Sequence, residues 1–158
     1  MAAGDVVYGT RTALANVSRL DSNANNVAEA FGEVDNSTTV ALDYHIHLVV
    51  PISSSATTGT YDLYLVESQD GIEWTDNIDP ATAGDIAGQI SDAKLIASMS
   101  TVYNGTNRTE AEIHFNISPL VGGIIPPFFG FVLSNKSGQT IPASGSDGDS
   151  VSLKIAAS

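Results

Sequence analysis

Cysteine is absent from the 158 residues, which excludes disulfide staples, thiolate metal sites and a cysteine nucleophile. Basic side chains are scarce: six Lys plus Arg face eighteen Asp plus Glu, a formal charge of −12 that repels phosphate backbones and argues against a nucleic-acid partner. Long apolar runs are missing, so no stretch reaches the length of a membrane-crossing helix. The opening MAAGDVVYGTRT has neither the basic start nor the continuous apolar stretch of an export signal. A soluble chain made in a cytoplasm, with no membrane partner, is the expectation. Charge of either sign amounts to only 15% of the residues, against roughly a quarter in ordinary soluble domains. Ser, Thr, Asn, Ala and Gly stand where Lys and Glu would be. Such a surface suits close protein packing, because long charged side chains lose more conformational entropy when immobilised; a composition bias of the host gives the same pattern.

Alternation is what the chain does have. In residues 60–80, TYDLYLVESQDGIEWTDNIDP, Tyr61, Leu63 and Leu65 share one face of a strand, Asp70-Gly71 has the chemistry of a tight turn, and Ile72 and Trp74 start a return strand. Residues 39–50 place Val40, Leu42, Tyr44, Ile46, Leu48 and Val50 on one face and Asp43, His45 and His47 on the other. Further strands are expected over residues 94–103, over 110–117 with Ala111, Ile113, Phe115 and Ile117 inward, around Phe129, Phe131 and Leu133, and at the end with Val151, Leu153 and Ile155 inward. Asp79-Pro80 has the form of a helix start, diluted by Gly84 and Gly88, so one short helix at most is predicted. The fold class is therefore an all-β antiparallel β-sandwich, jelly-roll-like. Residues 1–36, with only a short possible strand at Val6 to Tyr8, read as an irregular N-terminal arm or lead-in segment, and residues 37–158 as the sandwich domain.

Three groups of residues bear on chemistry. Asp43-X-His45-X-His47 projects three side chains from one strand face about 7 Å apart, a spacing at which two imidazoles reach one Zn²⁺ or Fe²⁺. Glu112 and His114 add ligands if their strand lies alongside. The arrangement resembles the cupin metal site, but the glutamate that cupins carry beyond the second histidine is replaced here by Val50, Pro51 and Ile52. The expectation is no metal and no other cofactor, the three residues being the candidates if one binds; the ordinary reading is a solvated sheet surface. The acidic run Glu67, Asp70, Glu73, Asp76 and Asp79, and the pair Asp147 and Asp149, offer carboxylates to Ca²⁺ or to glycoside hydrolysis, yet fall on turns and lack EF-hand spacing. Six Asn-X-Ser/Thr sequons begin at Asn16, Asn36, Asn104, Asn107, Asn116 and Asn135 and, without an export signal, reflect composition. No nucleophile elbow accompanies the Ser, His and Asp residues, and the chain is not expected to be an enzyme.

The hairpin YDLYLVESQDG, the aromatic strand over residues 128–133, the turn Asn135-Lys136-Ser137-Gly138-Gln139, the Ala-Ser-Gly linker and the closing strand resemble small virion proteins of tailed bacteriophages, in particular capsid decoration (cement) proteins. The resemblance implies a structural protein without catalytic residues. It would be commonly trimeric, made in the host cytoplasm and placed on the virion surface, where it binds the major capsid protein and bridges neighbouring copies. Contact is then expected from residues 1–36 and from the apolar loop containing Leu120, Val121, Ile124, Ile125 and Pro126. The first alternative is a carbohydrate-binding module in which Trp74 with Tyr61 or Tyr64 forms a stacking platform. The second is a cupin-like metalloprotein using His45 and His47.

Overall fold

The computed structural model describes residues 5–38, 40–106 and 108–156; residues 1–4 of the expected arm, Thr39 at the expected strand start and the Asn107 sequon lie outside them. Eight strands form: β1 (Val6–Ala13), β2 (Ala28–Asp35), β3 (Asp43–Pro51), β4 (Thr60–Ser68), β5 (Lys94–Ser100), β6 (Glu110–Asn116), β7 (Phe128–Lys136) and β8 (Asp147–Ile155). They make two four-stranded antiparallel sheets, sheet A in the order β1-β8-β3-β6 and sheet B in the order β2-β7-β4-β5. The protein is an all-β sandwich.

Alternation along the central strands builds the core. Tyr44, Ile46, Leu48 and Val50 of β3 meet Tyr61, Leu63 and Leu65 of β4 and Phe129, Phe131 and Leu133 of β7, each fully buried side chain contributing about 1.5–3 kcal/mol. Edge-to-face aromatic contacts fix the middle of this layer, with Tyr44 against Phe129 at 5.2 Å and Phe115 against Phe131 at 5.7 Å. The positions expected to face inward on β4, β6 and β7 do so.

Several expectations are corrected. Residues 5–36 are no arm: β1 pairs with β8, β2 pairs with β7, and Leu20 and Phe31 are core residues. Their alternation is broken by bulges, between Tyr8 and Arg11 in β1 and between Phe31 and Val34 in β2, the second around Gly32 at φ 71°, a conformation glycine adopts without strain. Division at residue 36 therefore corresponds to no break in the sheets. The expected return strand after Asp70-Gly71 is a single bridge between Ser68 and Trp74. Asp70 Oδ1 accepts the N–H groups of Ile72 and Glu73 at 2.8 and 2.9 Å, which curls the chain into a capped loop and leaves Ile72 exposed. In β8, Val151, Leu153 and Ile155 face outward and Gly148, Ser150 and Ser152 face the core, because Ser150 lies opposite the core residue Ile46 and Val151 opposite His45. Val40 and Leu42 precede β3 and are exposed. A bulge between β4 and β5 turns Ile96 to the core and Leu95 to solvent. Asp79-Pro80 starts no helix; Asp79 Oδ1 accepts the Ala81 N–H at 2.7 Å in a side-chain turn, and the helical pieces among the described residues are three short 3₁₀ turns.

Residues 69–93 cross the outer face of sheet B. Trp74 and Ile78 bury Ala28, Ala30, Val66 and Val132 there in a second apolar cluster. Close approach of this cover depends on Gly130, where a Cβ would stand 2.3 Å from Pro80 Cγ.

Candidate functional site

Among the described residues sheet A has no such cover on its outer face, and strand register gathers its polar residues there. Directly opposed residues of antiparallel strands share a face. His47 is opposite His114 of β6 on one side and Asp149 of β8 on the other, while His45 is opposite Asn116 and Val151. All three histidines of the chain therefore stand together. The His47 and His114 rings stack at 4.2 Å with planes 7° apart, and the His45 ring stacks 5.6 Å from that of His114.

One carboxylate oxygen organises the cluster. Glu112 Oε1 is 2.9 Å from His47 Nε2 and 3.1 Å from His114 Nε2, with the ring N–H groups as donors. These bonds, from His114 first and His47 second, hold the Glu112 carboxyl below the usual range. On the far side of its ring, His47 Nδ1 stands 3.5 Å from Asp149 Oδ2. Arg11 Nε approaches Asp149 Oδ1 to 3.3 Å but off the hydrogen-bond direction, so that buried oxygen has no hydrogen-bond partner among the described residues.

The expected set Asp43, His45 and His47 shares a face but does not converge. Asp43 accepts the Tyr44 and Ser118 N–H groups and the Asn116 amide, each at 2.8 Å, and His45 Nδ1 is 3.0 Å from Asn116 Oδ1. The groups that do converge are His47, Glu112 and His114, whose ligand atoms all lie within 4.8 Å of one another. Glu112-X-His114 carries the same alternation as His45-X-His47, but only the β3–β6 register brings the two runs together. Both histidines of β3 point away from sheet B, so they line no interior barrel cavity of the kind a cupin-like site needs.

The remaining candidates fall into structural roles. Trp74 is 6% exposed and Tyr61 0%, so the stacking platform for a sugar is not present. The Tyr61 hydroxyl donates to Pro51 O at 2.9 Å, and burial pushes its pKa up to about 12. Acidic turns use their carboxylates internally: Asp76 accepts from Ser91 Oγ and from the N–H groups of Ser91, Asp92 and Ala93 at 2.7–3.0 Å. Burial pushes that carboxyl upward, and these bonds outweigh it and bring it down to about 2. Of the expected contact residues, Leu120 and Val121 pack against the core, Ile125 and Pro126 are buried, and Ile124 alone is exposed. Asn36 and Asn135 are buried, and the Asn135 amide donates to Asn23 O and Gln139 O at 2.9 and 2.8 Å, so these sequons cannot take a glycan in this fold. Between β1 and β2 the sandwich opens into a polar cleft of about 290 Å³ lined by Thr10, Thr12, Glu33, Asp35, Ser152 and Lys154. Burial, then the charges of Asp79 and Asp35, raise the Glu33 carboxyl above its usual range.

In comparisons with known proteins, no family model, no curated protein and no solved structure matches this chain.

Proposed function

We propose that this protein is a structural virion component of the decoration type, which adds to the outside of an icosahedral capsid and holds neighbouring major capsid proteins together without doing chemistry. The observation that carries this reading is the free edge of sheet A. Among the described residues strand β1 pairs on one side only, with β8, and most of its residues are exposed. At its start Val6, Tyr8 and the neighbouring Ile155 are 58, 79 and 57% exposed and lie together on the outer face. An unpaired strand edge is a template for another chain, and contiguous exposed apolar side chains mark protein interfaces. We read the nested pairing of β1 with β8, β2 with β7, β3 with β6 and β4 with β5 as a jelly roll, an architecture used in viral capsids. The low charge density supports the same reading, since short polar side chains cost little to immobilise.

Contact areas of about 1,200–2,000 Å² per copy, repeated over a lattice, stabilise a shell through multivalency even where each contact is moderate. The test is co-sedimentation of purified protein with capsids that lack it, together with light scattering of the free protein. Saturable binding of a trimer, lost in Tyr8→Asp, is the expected outcome. A stable monomer that stays in the supernatant at every concentration would overturn the reading.

A further inference from the structure

We propose that His47, His114 and Glu112 form a binding site for a divalent transition metal of the Zn²⁺ class on the outer face of sheet A, with Asp149 orienting His47. The donor set selects the ion. Two imidazole nitrogens and one carboxylate oxygen suit Zn²⁺ and its neighbours, whereas Ca²⁺ and Mg²⁺ need shells of oxygen. The spacing agrees: metal–ligand bonds of about 2.0–2.1 Å in a tetrahedron put neighbouring ligand atoms about 3.3 Å apart, and Glu112 Oε1 stands 2.9 and 3.1 Å from the two Nε2 atoms. Aiming both nitrogens at one ion also requires the two rings to turn out of the stack in which their planes are 7° apart, and the side chains of His114 and Glu112, 52 and 50% exposed, have room for that rotation.

Proton accounting points the same way from a different observation. A neutral imidazole has one N–H, yet both ring nitrogens of His47 face carboxylate oxygens, Glu112 Oε1 and Asp149 Oδ2. One nitrogen thus meets an acceptor with its lone pair unless a cation sits between them. A metal at Nε2 removes that conflict and leaves Nδ1–H for Asp149, the carboxylate–histidine–metal relay that fixes ring orientation. The charged and titratable groups facing the pair are Glu112 from β6, Asp149 from β8, Arg11 from β1 and His45 from β3. The bound ion would link β3 to β6, and through Asp149 to β8, with its fourth position open to water. This inference does not depend on the capsid reading.

The test titrates tag-free, metal-stripped protein with ZnCl₂ by calorimetry near pH 7.5, with CaCl₂ and MgCl₂ in parallel and CoCl₂ as a spectroscopic probe. One Zn²⁺ per chain, a Co²⁺ visible spectrum and no saturable uptake of Ca²⁺ or Mg²⁺ are expected. His47→Ala and His114→Ala should each abolish the Co²⁺ spectrum, Asp149→Asn should weaken Zn²⁺ binding about 10–100-fold, and His45→Ala should leave it within about twofold, the factor that a change of about 0.4 kcal/mol produces. Circular dichroism checks that each variant is folded. Absence of saturable Zn²⁺ uptake at about 100 µM, or uptake unchanged in both histidine variants, overturns the proposal.

Discussion

On sheet B the outer-face residues Ala28, Ala30, Val66 and Val132 lie beneath Trp74 and Ile78, whereas on sheet A the corresponding layer is His45, His47, His114, Glu112, Val151 and Leu153 with solvent beyond. The cover on sheet B is tied down as well as packed. Asp85 Oδ1 accepts the Ala28 N–H at 3.2 Å, Ile86 N–H donates to Ala28 O at 3.0 Å, and Arg19 reaches Ala81 O at 2.8 Å. Two sheets with equivalent inner faces thus diverge because one loop is long enough, and apolar enough, to form a third layer. Sheet B spends its outer face on stability; the outer face of sheet A carries no such layer among the described residues.

The largest expected effect comes from removing the centre of that third layer. Trp74→Ala deletes a large buried ring that closes over Val66 and Val132, and a loss of about 3–5 kcal/mol is expected in urea unfolding. A loss below about 1 kcal/mol would mean that the cover is a loose flap, and the contrast between the faces would collapse.

Why some of this was legible and some was not follows from the same layers. Strands β3, β4, β6 and β7 are regular and bury one face against the core, so Tyr44 to Val50 or Ile113 and Phe115 declare themselves by alternation. Strands β1 and β2 are hidden by bulges that shift the period at Gly9 and Gly32. Strand β8 misleads because its larger apolar side chains face water while Gly148 and Ser152 face inward: a Cβ on Gly148 would meet Leu14 Cδ1 at 2.9 Å, and one on Gly9 would meet Ser152 Oγ at 2.3 Å. Crowding demands small residues there, and hydrophobicity alone reports nothing of crowding. Trp74 pointed to an inward hairpin side chain but not to a second core. At the candidate site the Asp43-His45-His47 face was readable, while Glu112, His114 and Asp149 join it only through register, which depends on every turn between them.

Asp76 sharpens the comparison at the margin of the cover. Its carboxylate gathers four donors from Ser91, Asp92 and Ala93 and so pins the loop just before β5. Its folded pKa of about 2 lies below the usual aspartate value of 3.8. The stabilisation is therefore present above about pH 4 and is lost as pH falls through about 2. At this solvent-accessible position, screening reduces it to about 1 kcal/mol. Asp76→Asn should cost about that amount at neutral pH, and the gap to wild type should close in denaturant titrations taken toward pH 2. A gap that stays constant with pH would remove the carboxylate from the explanation.

The last prediction compares the two faces most directly, because the same chemical change can be made on each, and its sheet A half is the smallest effect expected. Val132 is fully buried beneath the sheet B cover, and Val132→Thr puts a hydroxyl where no solvent reaches, for an expected loss of about 1–3 kcal/mol. Val151 lies opposite His45 on the uncovered face of sheet A, where the hydroxyl of Val151→Thr can bond to water and threonine keeps its strand preference. The change there should stay within about 0.5 kcal/mol. Both are measured by the same chemical unfolding experiment. Equal losses at the two sites would mean that the outer face of sheet A is covered in solution, which would make an intermolecular contact on that face the first thing to look for.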